Sequence, residues 1–95
     1  MVDGRSTPPQ NLRMRNKADE EFLRQFGKAV AKRRQSLRLS QEELAERADL
    51  SRTYTADVER GNRNLGILNL RRIAKALEIP PGGLLDRLDD WEKNR

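Results

Sequence analysis

Residues Leu39 to Gly61 read LSQEELAERADLSRTYTADVERG. The stretch holds two helix-length runs, each opened by a serine, with almost nothing between them. Ser40-Gln41-Glu42-Glu43 has the spacing of a capping box, in which the serine hydroxyl accepts from the N3 amide and Glu43 reaches back to the Ser40 N–H. Leu44, Ala45 and Ala48 follow at helical spacing, and the small alanines let another helix approach closely. Asp49 ends the run, because aspartate tolerates the left-handed backbone better than most residues. Ser51 caps the second run, Arg52 to about Arg60. There Leu50, Tyr54 and Val58 fall at i, i+4 and i+8 and face inward, which leaves Arg52, Thr53, Ala56, Asp57 and Arg60 on the other side. Gly61 supplies the stop. Helices this short do not persist alone in water. A tight bend between them makes sense if the first braces the second, and that arrangement is a helix-turn-helix.

Outward from this core the flanking elements also read as helices. Helix 1 is expected from about Asp19 to Leu37, capped by Asp19, with Phe22, Phe26, Ala29, Val30 and Leu37 on one stripe. Arg33 falls inside that stripe, which its charge does not explain, and Arg34 sits beside it. Helix 4 is expected from about Ile67 to Leu77, with Ile67, Leu70, Ile73, Ala74 and Leu77 inward. Ile79-Pro80-Pro81-Gly82-Gly83 reads as a hard break, and helix 5 follows from about Leu84 to Trp91. No alternating β-branched run or Asn-Gly turn signals a strand. The fold class is therefore all-α, with five short helices. Residues 1–17 hold Pro8-Pro9, Gly4 and four basic residues (Arg5, Arg13, Arg15, Lys17), and read as an extended arm. Such an arm can enter a minor groove; a solvated tail is the plainer reading. The domain is placed at residues 18–91, and 92–95 read as a tail.

Composition narrows the function. The 95 residues fit one domain with a modest core. There is no histidine, which removes the commonest general base and the commonest metal ligand, and no cysteine, which removes thiolate chemistry. No enzyme, cofactor or metal is expected. No apolar run approaches the roughly 20 residues of a membrane span, and the first ten residues lack a signal-peptide core; the expected location is cytoplasmic. Net charge is +5 and uneven: residues 1–39 carry ten Lys/Arg against four Asp/Glu, and residues 40–95 ten against eleven. A basic bias suits a polyanion, although lysine and arginine also simply solvate helical surfaces.

The second short helix offers the chemistry that the major groove requires. That groove is about 12 Å wide and admits one α-helix. Arg52, at the start of the helix, has a guanidinium fork that matches guanine O6 and N7; Thr53 brings a hydroxyl and a methyl. Asp57 accepts from cytosine N4, pairs with Arg60 one turn on, or repels wrong sequences. Tyr54 either packs its ring with the hydroxyl at a phosphate, or belongs wholly to the core. Gln41 begins the bracing helix, where it can donate to a phosphate.

These residues carry a resemblance. Residues 26–79 resemble the XRE family, the helix-turn-helix of phage Cro and cI repressors, through Ser40-Gln41-Glu42-Glu43-Leu44-Ala45, Glu59-Arg60-Gly61, Leu70 and Ile73-Ala74-Lys75-Ala76-Leu77. The resemblance implies a five-helix, lambda-repressor-like domain acting as a homodimer on palindromic double-stranded DNA. It puts base reading on Arg52, Thr53, Ala56 and Asp57, phosphate contacts on Gln41 and the loop Asn62, Arg63, Asn64, and a buried ion pair on Arg34 and Glu59. More narrowly, Arg52-Thr53-Tyr54, Glu59-Arg60 and Arg63-Asn64-Leu65 resemble the controller proteins of restriction–modification systems, in which the arginine at Arg63 also reaches a base. Two positions depart from the family: Asp49 where glycine is usual, and Thr55 where isoleucine or valine is usual. A Thr55 hydroxyl in a core would need the Ser51 carbonyl as partner.

Leu84, Leu85, Leu88 and Trp91 share one face of helix 5. They either close the monomer core or form a dimer seam, and so broad an apolar face on a short final helix favours the seam. The alternative function is a protein-interaction module such as an antitoxin of a mobile element, and against it stands the short segment after Trp91. Nothing in the sequence points to a small-molecule ligand.

Overall fold

The computed structural model describes residues 16–94. Five helices follow in order: α1 (Lys17–Ser36), α2 (Gln41–Ala48), α3 (Arg52–Arg60), α4 (Ile67–Ala76) and α5 (Pro81–Lys93). Most of the proposed arm lies outside the described residues. Lys17 does not belong to it, because α1 starts two residues earlier than expected: the cap is Asn16, whose side chain accepts from Asp19 N at 2.8 Å, and not Asp19. The Pro-Pro-Gly-Gly segment is a helix start and not a break before one. Pro80 is the N-cap and Pro81 occupies the first turn, where a missing N–H costs nothing. At the other end α5 takes in Glu92 and Lys93, two residues of the expected tail. Among the described residues no helix is long and apolar enough to cross a membrane.

α2 keeps its capping box, with Glu43 N donating to Ser40 Oγ at 3.0 Å and Ser40 N to Glu43 Oε1 at 2.8 Å. The Ser40 N–H donated to it, with the Ser40 hydroxyl adding to the effect, holds the Glu43 carboxyl below its ordinary pKa. Four helices end with the same pair of tightened backbone bonds around a residue in the left-handed conformation, as at Asn62 N to Asp57 O and Gly61 N to Val58 O. Only α3 has glycine there, Gly61 at φ 82. Asp49 takes the same role after α2, as its tolerance suggested, whereas Arg38 after α1 and Glu78 after α4 adopt it with nothing in their chemistry to announce it. Arg33 is explained here. Its Nε donates to Leu77 O at 2.9 Å, so the charge in the apolar stripe closes the end of α4.

The core gathers Phe26, Val30, Leu44, Val58, Ile73, Leu77, Leu84 and Leu88. Thr55 is fully buried among them, and its hydroxyl donates to Ser51 O at 3.0 Å, which offsets the desolvation a lone hydroxyl would suffer. α1 crosses α3 at Gly27, where a Cβ would stand 2.3 Å from the carbonyl oxygen of Glu59 and 2.5 Å from that of Val58. No larger residue fits without moving α3 itself.

Beside this crossing lies the ion pair. Arg34 Nε and Nη2 reach Glu59 Oε2 and Oε1 at 2.6 and 3.0 Å, a bidentate contact, while Nη1 donates to Leu39 O at 2.7 Å. The side chains are 13% and 6% exposed, so the pair is buried. The Glu59 hydrogen bond raises the Arg34 pKa above its ordinary value. Removing one partner of such a pair leaves the other charge stranded and costs about 3–5 kcal/mol. Glu59→Gln should therefore melt well below the wild type, and Arg34→Met combined with Glu59→Leu should recover part of the loss. A thermal denaturation series checks this; a Glu59→Gln protein with the wild-type Tm would contradict the buried pairing.

Candidate nucleic-acid interface

α3 turns two carboxylates to opposite sides. Glu59 points inward to α1, and the helix repeat places Asp57 toward the loop that follows. Arg52 and Thr53, at the start of the helix, are exposed; Ala56 and Asp57 are half-buried behind them. Ser51 caps the helix by accepting from Tyr54 N at 3.0 Å, which fixes where Arg52 and Thr53 leave the backbone. Asn62, Arg63 and Asn64 are exposed on the loop between α3 and α4. The structure thus brings Arg52, Thr53, Ala56 and Asp57 together on one helix face and sets the loop residues at its C-terminal end.

The loop is wired to the helix. Arg63 lies over the Tyr54 ring, its guanidinium carbon 5.0 Å from the centroid, and its Nε is 3.5 Å from Asp57 Oδ2. The other Asp57 oxygen is ion-paired with Arg60. Of the alternatives for Asp57, pairing with Arg60 is the one present, and Arg63 joins it. Tyr54 is half-buried, and its hydroxyl accepts from Asn69 Nδ2 at 3.0 Å, so α4 buttresses the ring from below. Asn69 was not foreseen: the contact spans fifteen residues and leaves no local trace in the sequence.

Gln41 also has a partner within the protein. Its Nε2 donates to Glu59 Oε1 at 2.9 Å, which ties the first residue of α2 to the buried ion pair. A primary amide has two donor hydrogens, so one remains for a phosphate at the start of α2.

The expected seam needs correction. Leu84 and Leu88 are 0% and 3% exposed and belong to the core of the single chain, because α5 packs on both α1 and α4. Leu85 is 40% exposed, and Trp91 is half-buried with its ring centroid 6.2 Å from that of Phe22. Ile67, expected inward, is 76% exposed, and its neighbour Leu68 62%. The first turn of α4 overhangs the core, and Leu70 and Ile73 fill the inner positions instead.

Comparison with known proteins agrees with this geometry. A helix-turn-helix family model matches residues 30–84. The control protein C.BamHI of Bacillus amyloliquefaciens is 48% identical over 62 residues, covering 64% of this chain and 76% of its own length. The restriction–modification controller protein C.AhdI from Aeromonas hydrophila superposes with a TM-score of 0.64 at 42% identity, over 65% of this chain and 94% of that one. C.Esp1396I, a controller solved as a tetramer in complex with its natural 35 base-pair operator, gives 0.67 at 33% identity, over 73% and 91%. The chain belongs to the helix-turn-helix family of XRE type and, within it, to the restriction–modification control proteins.

Proposed function

We propose that this control protein is a cytoplasmic transcriptional regulator that binds double-stranded DNA in a sequence-specific manner, as a homodimer on a palindromic operator of a restriction–modification system. The observation that carries this is the start of α3: Arg52 and Thr53 stand exposed on a helix whose opposite side is locked to α1 by a buried ion pair. A helix so held enters the major groove without rearranging. The solved complex of C.Esp1396I with its operator supports the partner class. Arg52 donates to guanine O6 and N7, Thr53 and Ala56 meet base edges beside it, and Arg63 reaches a base from the loop. Gln41, Tyr54, Asn62 and Asn64 hold the phosphate backbone, which fixes register and carries no sequence information.

Reading and holding separate by titration against operator and scrambled duplexes at two salt concentrations, well below the melting transition because Gln41 also supports Glu59. Arg52→Ala should weaken operator binding more than scrambled binding and relax preference at one base pair of each half-site, a loss of about 1–3 kcal/mol of discrimination. Gln41→Ala should weaken both duplexes by similar factors with little change in salt slope. An Arg52→Ala protein that keeps the wild-type specificity ratio would show that α3 does not read the operator.

The dimer seam of this reading takes the apolar side chains the single chain leaves outside, Ile67, Leu68 and Leu85, with Trp91 at its edge. A homodimer must set two recognition helices about 34 Å apart, and a self-complementary apolar patch is how a two-fold contact forms. Leu68→Glu combined with Leu85→Glu should give a folded monomer with weakened operator binding, whereas Leu88→Glu should unfold the chain. Sedimentation decides between them; a double variant that remains dimeric places the seam elsewhere.

A further inference from the structure

The Asp57 carboxylate divides its two oxygens between two arginines, Oδ1 to Arg60 and Oδ2 to Arg63. Exposure is graded across the group: the Asp57 side chain is 20% exposed, against 60% for Arg60 and 49% for Arg63. The anion therefore lies beneath, and the two guanidinium groups stand above it at the surface. Arg63 is held a second time by the face of the Tyr54 ring, and that ring by Asn69. Two attachments fix one loop arginine beside α3, and the second is itself backed by α4.

We infer that Asp57 is a specificity-determining residue: an internal stand-in for a DNA phosphate that keeps Arg60 and Arg63 from strengthening non-operator binding. The inference rests on the DNA-binding reading above. Random duplex offers an arginine mainly phosphates. Trading the Asp57 carboxylate for a phosphate exchanges one anionic oxygen for another, and the abandoned carboxylate then repels the same phosphate. A guanine edge is different. Its O6 and N7 are neutral acceptors, and a guanidinium has five N–H donors, so an arginine can keep its carboxylate and still donate to the base. Asp57 thus opposes phosphate contact while leaving base contact open, and it lowers non-specific affinity more than specific affinity. Reading of cytosine N4 by Asp57 would need a half-buried carboxylate, already engaged on both oxygens, to accept a further donor.

The test uses the full chain, the tightest duplex recovered from a random-sequence library as operator, and a scrambled duplex of the same composition. Asp57→Asn and Asp57→Ser both remove the charge and keep a polar group, so a folding defect in one leaves the other. Binding to the scrambled duplex should tighten about three- to tenfold, the size of releasing two partly exposed ion pairs. Its salt dependence should steepen by about one phosphate contact. Operator binding should change less, so the specificity ratio falls. In an Arg60→Ala, Arg63→Ala background the same Asp57 substitutions should leave the ratio unmoved. An unchanged ratio in the otherwise wild-type chain would reduce Asp57 to one unit of net charge and overturn the inference. So would a selective loss of operator affinity, which is the mark of a base-reading carboxylate. A wild-type protein with no preference between duplexes would instead remove the DNA reading on which the inference stands.

Discussion

Three helices meet at the carboxylate of Glu59. Arg34 of α1 approaches it with two N–H groups, Gln41 of α2 with one, and Glu59 itself belongs to α3. A buried ion pair is not in general more stabilising than apolar residues of the same volume, because the charges must leave water. Its particular contribution is direction. A bidentate guanidinium–carboxylate contact is satisfied in one orientation, whereas an apolar contact is satisfied in many. The close approach of α1 and α3 at Gly27 and the bond from Arg34 to Leu39 O complete the lock, since the latter also fixes the connection into α2. α3 is short enough that, without such a lock, nine residues would have little reason to hold one pose.

Two acids on α3 illustrate how burial divides labour within one helix. Glu59 faces inward, is nearly sealed, and serves the fold. Asp57, two residues earlier and turned by the helix repeat toward the loop, is partly open and meets cations that are themselves exposed. The network that starts at Asp57 runs through Arg63 and the Tyr54 ring to Asn69 on α4. The loop that carries Asn62, Arg63 and Asn64 is therefore anchored through Arg63, and the candidate interface is a continuation of the packed domain.

The helix-turn-helix was legible because its signals are local. A capping box, a serine cap and a glycine stop each act within four residues, and α2 and α3 begin and end where these signals place them. The ion pair was reached through family likeness, and Asp49 through its tolerance of the left-handed backbone. What escaped was decided at a distance. Nothing near Arg38 or Glu78 marks a left-handed residue; neighbouring packing imposes it. Gly27 matters only because another backbone passes within reach of its absent Cβ. Leu84 and Leu88 share a helix stripe with Leu85 and Trp91, and periodicity cannot say whether a stripe faces its own domain or a partner. The answer came from α5 folding back on α1. Likewise Pro80-Pro81 reads equally as a break or as a helix start, because proline is at home in both.

The central question for this protein is which of its surfaces meets DNA. Titration of the 15N-labelled protein with operator duplex, followed through backbone and side-chain amide shifts, maps that surface residue by residue. The predicted result is large shifts at Gln41, at Arg52 to Asp57 and at Asn62 to Asn64, with the Arg63 guanidinium perturbed, and little change at Ile67, Leu68 and the α5 residues Leu85 and Trp91 beyond those of the free dimer. Shifts centred on α5 or the first turn of α4, with the start of α3 silent, would contradict it.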